Sequence, residues 1–425
     1  MGTDKQRRPL PLRARPLIRR VTWRPLGGLL GRDTHDASQS LVALVIAILV
    51  TLVAGLLLAS VEEVLIENLG LLLIFPAAIG LRGNVFGPFV SRLSTSMRAG
   101  TFSWSLKTDG VLVQNLIAVV GTSFLASMVV GVIAKGVAEL TISSPEVLTL
   151  LDFVTVSVVS AAIATIALTI ITLLLATVST RNNWDLDNVT APIVTAAGDL
   201  VTLPALLVGI IFIQSVLGSI LVTVLGAVIV ALSVVAIISL GLKTARRVCI
   251  ESAPILILAG IVSLLAGSII EGAIDSLASF SVYLVVLPSY LSVAGALGGI
   301  LSNRLSTKLH LGLVSPDALP RGAAAGDILL IFKIAIPILV ALGLSSFIVA
   351  EVFDHSTPQL VALVLSILSG GLVATIFVSI VAYYGTILVV RFGLDPDNHG
   401  IPVVTASLDL VGSLTLIGAV WAWVL

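Results

Sequence analysis

The sequence predicts an all-α, polytopic membrane protein: about 11 transmembrane helices in two parallel five-helix repeats joined by one linking helix. Three observations predict it. Apolar residues make up 57% of the 425 residues and charged residues 11%, with a mean hydropathy of +1.16, whereas a soluble domain carries about 25% charged residues. Apolar runs recur near the roughly 20 residues that cross a hydrocarbon core. The second half of the chain also repeats motifs of the first at a nearly constant offset.

The N-terminal stretch differs from the rest. Residues 1–40 hold nine of the 23 Lys and Arg residues together with several prolines, which reads as a basic cytoplasmic tail that sets topology. Spans are then expected near 41–60, 64–90, 111–134, 147–178, 190–213, 217–240, 253–270, 280–300, 326–349, 358–389 and 401–425. The first is read as a retained span, because its apolar run exceeds a usual signal-peptide core. The stretch 189–242 contains one charge, Asp199, and is long enough for two helices, with a turn expected around Gly218-Ser219. The domains are thus 1–40, the tail; 41–213, the first repeat; 214–248, the linking helix and a basic loop; and 249–425, the second repeat.

Charge sidedness agrees with this count. Loops on the tail's side carry Arg92, Arg98, Lys107, Arg181, Lys243, Arg246, Arg247, Arg304, Lys308, Arg321 and Arg391. Loops on the other side carry Glu62, Glu63, Glu139, Glu146, Glu271, Asp275, Glu351 and Asp354, with only Lys135 basic. The positive-inside rule puts the N-terminus in the cytoplasm and the C-terminus outside, in an integral protein expected in the plasma membrane.

The repeat is read from matched residues. Arg92-Leu93-Ser94-Thr95 recurs as Arg304-Leu305-Ser306-Thr307, an offset of 212 that also relates Pro76 to Pro288, Gly83 to Gly295 and Val53-Ala54-Gly55 to Leu265-Ala266-Gly267. Further on, Asp187-Asn188 recurs as Asp397-Asn398, Pro192 as Pro402, Thr195 as Thr405 and Asp199 as Asp409, at an offset of 210. A five-span repeat in direct tandem would come out inverted. The extra span restores direction, so the copies should be parallel about an axis along the membrane normal.

Asp199 and Asp409 are the foremost candidate residues. Each lies about nine residues into the last span of its copy, roughly 13 Å deep in a core about 30 Å thick. A carboxylate at that depth usually faces a water-filled path or a partner; a protonated Asp bonded to a neighbouring helix is the bland alternative. A parallel pseudo-two-fold would bring both acids to the axis, where they repel unless a cation or proton lies between them. Thr195 and Thr405 stand four residues earlier on the same helix face and could bind an ion's water shell or simply bond back to their own helix. The second span holds Pro76, Gly80, Gly83, Gly87 and Pro88. It is expected to be broken, with carbonyls around Gly83-Asn84 and the Asn84 amide free to act as hard ligands. Close helix packing is the alternative use of those glycines. Asp187, Asn188, Asp397 and Asn398 precede the last spans as N-caps or as a carboxylate cluster at the pore mouth. With one Cys and four His residues in the chain, Zn²⁺ and Cu⁺ clusters are excluded. Hard-ion chemistry remains, and Mg²⁺, held by one or two carboxylates and retained waters, fits it. A net charge of zero implies no nucleic-acid partner, and no bound cofactor is expected.

The run Ala77-Ala78-Ile79-Gly80-Leu81-Arg82-Gly83-Asn84, the Arg-Leu-Ser-Thr element and Asp-Asn-x-x-x-Pro-x-x-x-Thr-x-x-x-Asp together resemble the MgtE family of magnesium channels. The resemblance is greatest to its two-repeat solute carrier relatives of the SLC41 type. It covers about 41–212 and 250–425. It implies transport of Mg²⁺ or another divalent cation through a pore on the two-fold axis, lined by the second and fifth spans, with Asp199 and Asp409 as ion ligands. The second copy has Gly295-Ala296 where the first has Gly83-Asn84, and Pro396 where the first has Leu186, so an asymmetric pore is expected. A 40-residue tail is not expected to replace the soluble gating domains of MgtE channels. A passive channel and a Na⁺- or H⁺-coupled exchanger share this layout. An intramembrane aspartyl protease is disfavoured because neither Asp stands in a Gly-x-Gly-Asp element, and a transport-free scaffold because buried acids are costly without a function.

Overall fold

The computed structural model describes residues 34–425 except 62–63, 65–67, 69, 99, 101, 103, 106, 109, 143–146, 183–185, 311–312, 316–318, 393–395 and 425. The basic tail lies outside the described residues, apart from the helical backbone of its last few positions. Eleven long helices and one short helix make up the described secondary structure. The first half contains α1 (Thr34–Ser60), α2 (Leu71–Arg98), α3 (Val111–Thr141), α4 (Leu150–Asn182) and α5 (Leu186–Ile213). After α6 (Val216–Ser239) come α7 (Lys243–Gly272), the five-residue α8 (Ile274–Ala278), α9 (Val282–His310), α10 (Ala323–Val352), α11 (Leu360–Arg391) and α12 (Pro396–Trp423). Ten of the long helices are long and apolar enough to cross a membrane, and α1 adds a shorter apolar stretch, Leu44–Ser60. The protein is an all-α integral membrane protein.

Helix ends follow local chemistry. The α5–α6 turn falls at Gln214-Ser215 and not at Gly218-Ser219 as expected. Ser215 is the N-cap of α6, its hydroxyl accepting from the Gly218 amide at 3.0 Å, and a serine cap starts a helix better than an interior glycine. At the far end of α6, Gly241 takes a positive φ of 61°. The Leu242 amide donates to the Ile237 carbonyl and the Gly241 amide to the Ile238 carbonyl. This Schellman closure turns the chain directly into α7.

The second span departs from its expected break: α2 is one continuous helix with Pro76 and Pro88 inside it. Its burial explains the difference, since 78% of its most apolar window is covered by protein, against 11% for α6. Neighbouring helices hold a proline-containing helix together where lipid would not. The Gly83 carbonyl is therefore within helix. Pro88 has no N–H to give the carbonyl four residues earlier, that of Asn84, which loses its usual helical donor.

The halves are interlocked. The α1 helix packs on α5 of its own half and on α9 of the other; α7 packs likewise on α12 and on α2. The closest approaches are equivalent: Gly55 of α1 lies against the Val285 backbone of α9, and Gly267 of α7 against the Leu73 backbone of α2. Each partner differs by the repeat offset of 212, as a two-fold relation requires. Six crossings separate α1 from α7, so equivalent helices run in the same direction. The α6 helix lies outside this symmetry, packed on α3 and α4.

Candidate ion site at the junction of the halves

The second and fifth helices of each half, α2, α5, α9 and α12, meet around one cavity of about 130 Å³. Asp199, Asp409, Thr195, Thr405, Gly83 and Asn84 all line it, together with Gly80, Ser292, Gly295, Ala296 and Asn303. A single water needs roughly 10–15 Å³ of such space, so the cavity can hold an ion with part of its water shell.

The two carboxylates are supported differently. Asp409 Oδ2 accepts a hydrogen bond from Ser263 Oγ of α7 at 2.6 Å. It also lies against Gly80 of α2, where an added Cβ would stand 3.0 Å from that oxygen. The Gly80 equivalent is Ser292 of α9, which lines the cavity together with Asp199. Asp199 is 2% exposed, and its Oδ1 has no partner among the described residues. Each acid thus reaches from the last helix of one half to the second helix of the other.

The threonines follow the same crossing. Thr405 Oγ1 donates to Asn84 Oδ1 at 2.7 Å, joining α12 to α2. The equivalent joint between α5 and α9 is missing, because Ala296 stands where Asn84 does. Thr195 lies beside Gly83, and Thr405 beside Gly295. Asp187 and Asn188 fall in the first turn of α5, and Asp397 and Asn398 in the first turn of α12; their side chains lie outside the described residues.

Ser263, Ser292 and Gly80 were not singled out as neighbours of the acids. Their equivalents differ (Thr51, Gly80 and Ser292 respectively), so matching the two copies could not find them. Arg82 is a second omission. Fully buried on the far side of α2, it donates to Ser123 Oγ and, at 2.6 Å, to Ser127 Oγ of α3. Its Cβ would touch a side chain at Gly198, so it packs behind the acid-bearing turn of α5.

The donor set consists of two carboxylates, hydroxyls and an amide, all oxygen ligands suited to a hard cation. No group of three His, Cys, Asp or Glu residues gathers among the described residues.

Comparison with known proteins matches residues 75–209 and 287–419 to the MgtE profile, described as a divalent cation transporter. The chain belongs to the MgtE family. Both matched segments contain a second span and a fifth span, the helices that line the cavity. Solute carrier family 41 member 3 of Rattus norvegicus is 28% identical over 93% of this chain and 89% of its own length. Solute carrier family 41 member 2 of Homo sapiens is 28% identical over 89% of this chain and 69% of its own. A eukaryotic MATE transporter structure, AtDTX14, aligns over 92% of this chain and 96% of that one at 13% identity, with a TM-score of 0.34, too low to inform the fold. This MgtE-family protein is a transporter of divalent cations and not an enzyme, which removes the protease reading.

Proposed function

We propose that this MgtE-family protein carries Mg²⁺ across the plasma membrane along its pseudo-two-fold axis, with the ion held, still largely hydrated, between Asp199 and Asp409. One observation carries the reading: two acids from opposite halves line one cavity, and Asp199 Oδ1 has no partner among the described residues. A carboxylate oxygen left bare in low dielectric is costly, and a divalent cation offsets that cost. Mg²⁺ is favoured over Ca²⁺ because two carboxylates and a few neutral oxygens suit an ion that keeps its waters. Asn84, Thr405 and Thr195 are the groups placed to bond those waters. The separation of basic and acidic loops supports a cytoplasmic N-terminus.

The test is Mg²⁺ flux into liposomes containing the purified protein, read with an internal fluorescent indicator. Asp199→Asn and Asp409→Asn should each lower flux sharply, and the double variant should abolish it. Undiminished flux in the folded double variant would refute the site. Flux persisting without Na⁺ or proton gradients identifies a channel; flux that collapses without one identifies an exchanger.

A further inference from the structure

The symmetry between the halves fails on one outer face. In the first half, α6 covers α3. Gly121 of α3 meets Ser233 of α6, and Phe124 is buried at 5% exposure in a cluster with Val158 of α4 and Val222 of α6. Among the described residues, α10 packs on α9, α11 and α1. At the offset of 212, Gly121 becomes Lys333 and Phe124 becomes Ile336, which is 47% exposed. Leu329, Leu344 and Ile348 are exposed on the same helix. This face of α10 is turned to lipid.

Lys333 is therefore a cation on a lipid-facing helix, about ten residues past its start and roughly 15 Å along its axis. Such a lysine extends toward the near headgroups. A pocket of about 240 Å³ opens beside it, lined by Lys308, Gly326, Asp327 and Lys333. Gly326 keeps the floor low: a Cβ there would meet nothing within 4 Å. Asp327 does not make the pocket anionic. Its Oδ1 accepts from Arg304 Nε at 2.9 Å and its Oδ2 from Lys308 Nζ at 2.7 Å. The charged groups that line the pocket, Lys308 and Lys333 against Asp327, leave a net charge of +1, at the basic end of the bundle.

We propose that this pocket binds the phosphate of an anionic phospholipid, whose acyl chains lie along the exposed face of α10 where α6 lies on α3. Charge and polarity select this occupant together: a basic pocket between membrane helices suits an anionic headgroup, and the adjoining surface is purely apolar. A second copy of the chain would bring the same positive charge to the contact.

The experiment is native mass spectrometry of the full-length chain in detergent, titrated with phosphatidylglycerol, phosphatidylcholine or inorganic phosphate. Phosphatidylglycerol should bind at least fivefold more tightly than phosphatidylcholine. Lys333→Gln should weaken the first phosphatidylglycerol site about fivefold, the share of one basic residue near the membrane surface, and Lys333→Arg should retain it. Lys333 is exposed, so Lys333→Gln should melt as the unsubstituted protein does without added lipid. Equal binding of the two lipids, or full phosphatidylglycerol affinity in Lys333→Gln, would overturn the proposal. So would displacement of the lipid by inorganic phosphate, or a dimer cross-linked through Leu329→Cys in a Cys249→Ser background.

Discussion

Replacing Gly55 with alanine puts a methyl group where the backbone of the other half already stands. The new Cβ would lie 2.6 Å from the Val285 carbonyl carbon and 2.9 Å from its Cα, and closer still to the carbonyl oxygen. Carbon atoms pack at about 3.5–4.0 Å, so α1 and α9 must part by roughly 1 Å. No side-chain rotation relieves this, because the obstructing atoms are backbone. Overpacking costs about 1–3 kcal/mol where side chains can yield, and the upper end applies here. Alanine returns about 1 kcal/mol of helix propensity, leaving a net loss of about 2 kcal/mol. At roughly 2–4 °C per kcal/mol for domains of 150–250 residues, and less for a longer chain, the apparent Tm in detergent should fall by about 2–4 °C. Gly267→Ala should fall equally, since it meets Leu73 at 2.7 and 2.8 Å in the same way. Gly136→Ala, with nothing within 4 Å of its Cβ, is the control and should melt no lower than the parent. Flux per folded molecule should drop in Gly55→Ala, because Leu44 and Ala47 of α1 line the candidate ion cavity, and in Gly267→Ala, because α7 carries the Ser263 that bonds Asp409. Melting of Gly55→Ala and Gly136→Ala within a degree of each other would refute the interlocked halves.

Gly80→Ala places a Cβ 3.0 Å from Asp409 Oδ2 and 3.3 Å from Ser263 Oγ; displacing the carboxylate by about 1.4 kcal/mol of interaction corresponds to a tenfold change, so liposome flux should fall roughly tenfold with little change in Tm. Asp327→Asn leaves Arg304 and Lys308 sharing a neutral acceptor and should cost about 1–3 kcal/mol, discounted for the partial exposure of both cations. Adding Lys308→Ser recreates the first-half arrangement, in which Arg92 Nε donates to Asn115 Oδ1 at 2.7 Å and Ser96 holds the Lys308 position, so the double variant should recover most of the lost Tm. Arg82→Lys replaces a planar fork that spans Ser123 and Ser127 with one ammonium and should lower thermal stability by about 1–2 kcal/mol, read from the same melts.

Much of this architecture was legible in the sequence, and for identifiable reasons. Hydropathy reveals helices because every backbone polar group in lipid must be satisfied within its own segment, so eleven apolar runs became eleven long helices. Asp199 and Asp409 stood out because a carboxylate at mid-membrane is rare and both copies keep one. The exchange of α1 and α7 between halves was not legible. It depends on which neighbour Gly55 and Gly267 approach, and a glycine states that something comes close without saying what. Pro76 and Pro88 pointed to a broken helix because lipid could not repair one; the surrounding protein does. Ser263 stayed hidden for a different reason. Its equivalent, Thr51, donates to the Ala47 carbonyl of its own helix at 2.8 Å, so the repeat held no second example of a hydroxyl turned toward an acid.

The asymmetry of the cavity follows from carrying both halves on one chain. Two identical subunits about a two-fold axis must present identical groups to it. Here Asp409 is held by Ser263 and packed against Gly80, while Asp199 lines the cavity with Ser292 and keeps a bare oxygen. Asn84 ties Thr405 at one crossing, and Ala296 leaves the other open. In the proposed site, an ion between the acids would meet Asp199 with its Oδ1 bare and Asp409 with its Oδ2 already holding the Ser263 hydroxyl. The Ser263 hydroxyl competes with the ion for Asp409, so Ser263→Ala should strengthen ion binding on the Asp409 side while loosening that carboxylate's orientation. Competition of this kind is confined to one half, so Thr51→Ala, at the equivalent position, should leave ion affinity unchanged. Equal effects of the two substitutions on the Mg²⁺ concentration giving half-maximal flux would show that the acids act as an equivalent pair despite their different surroundings.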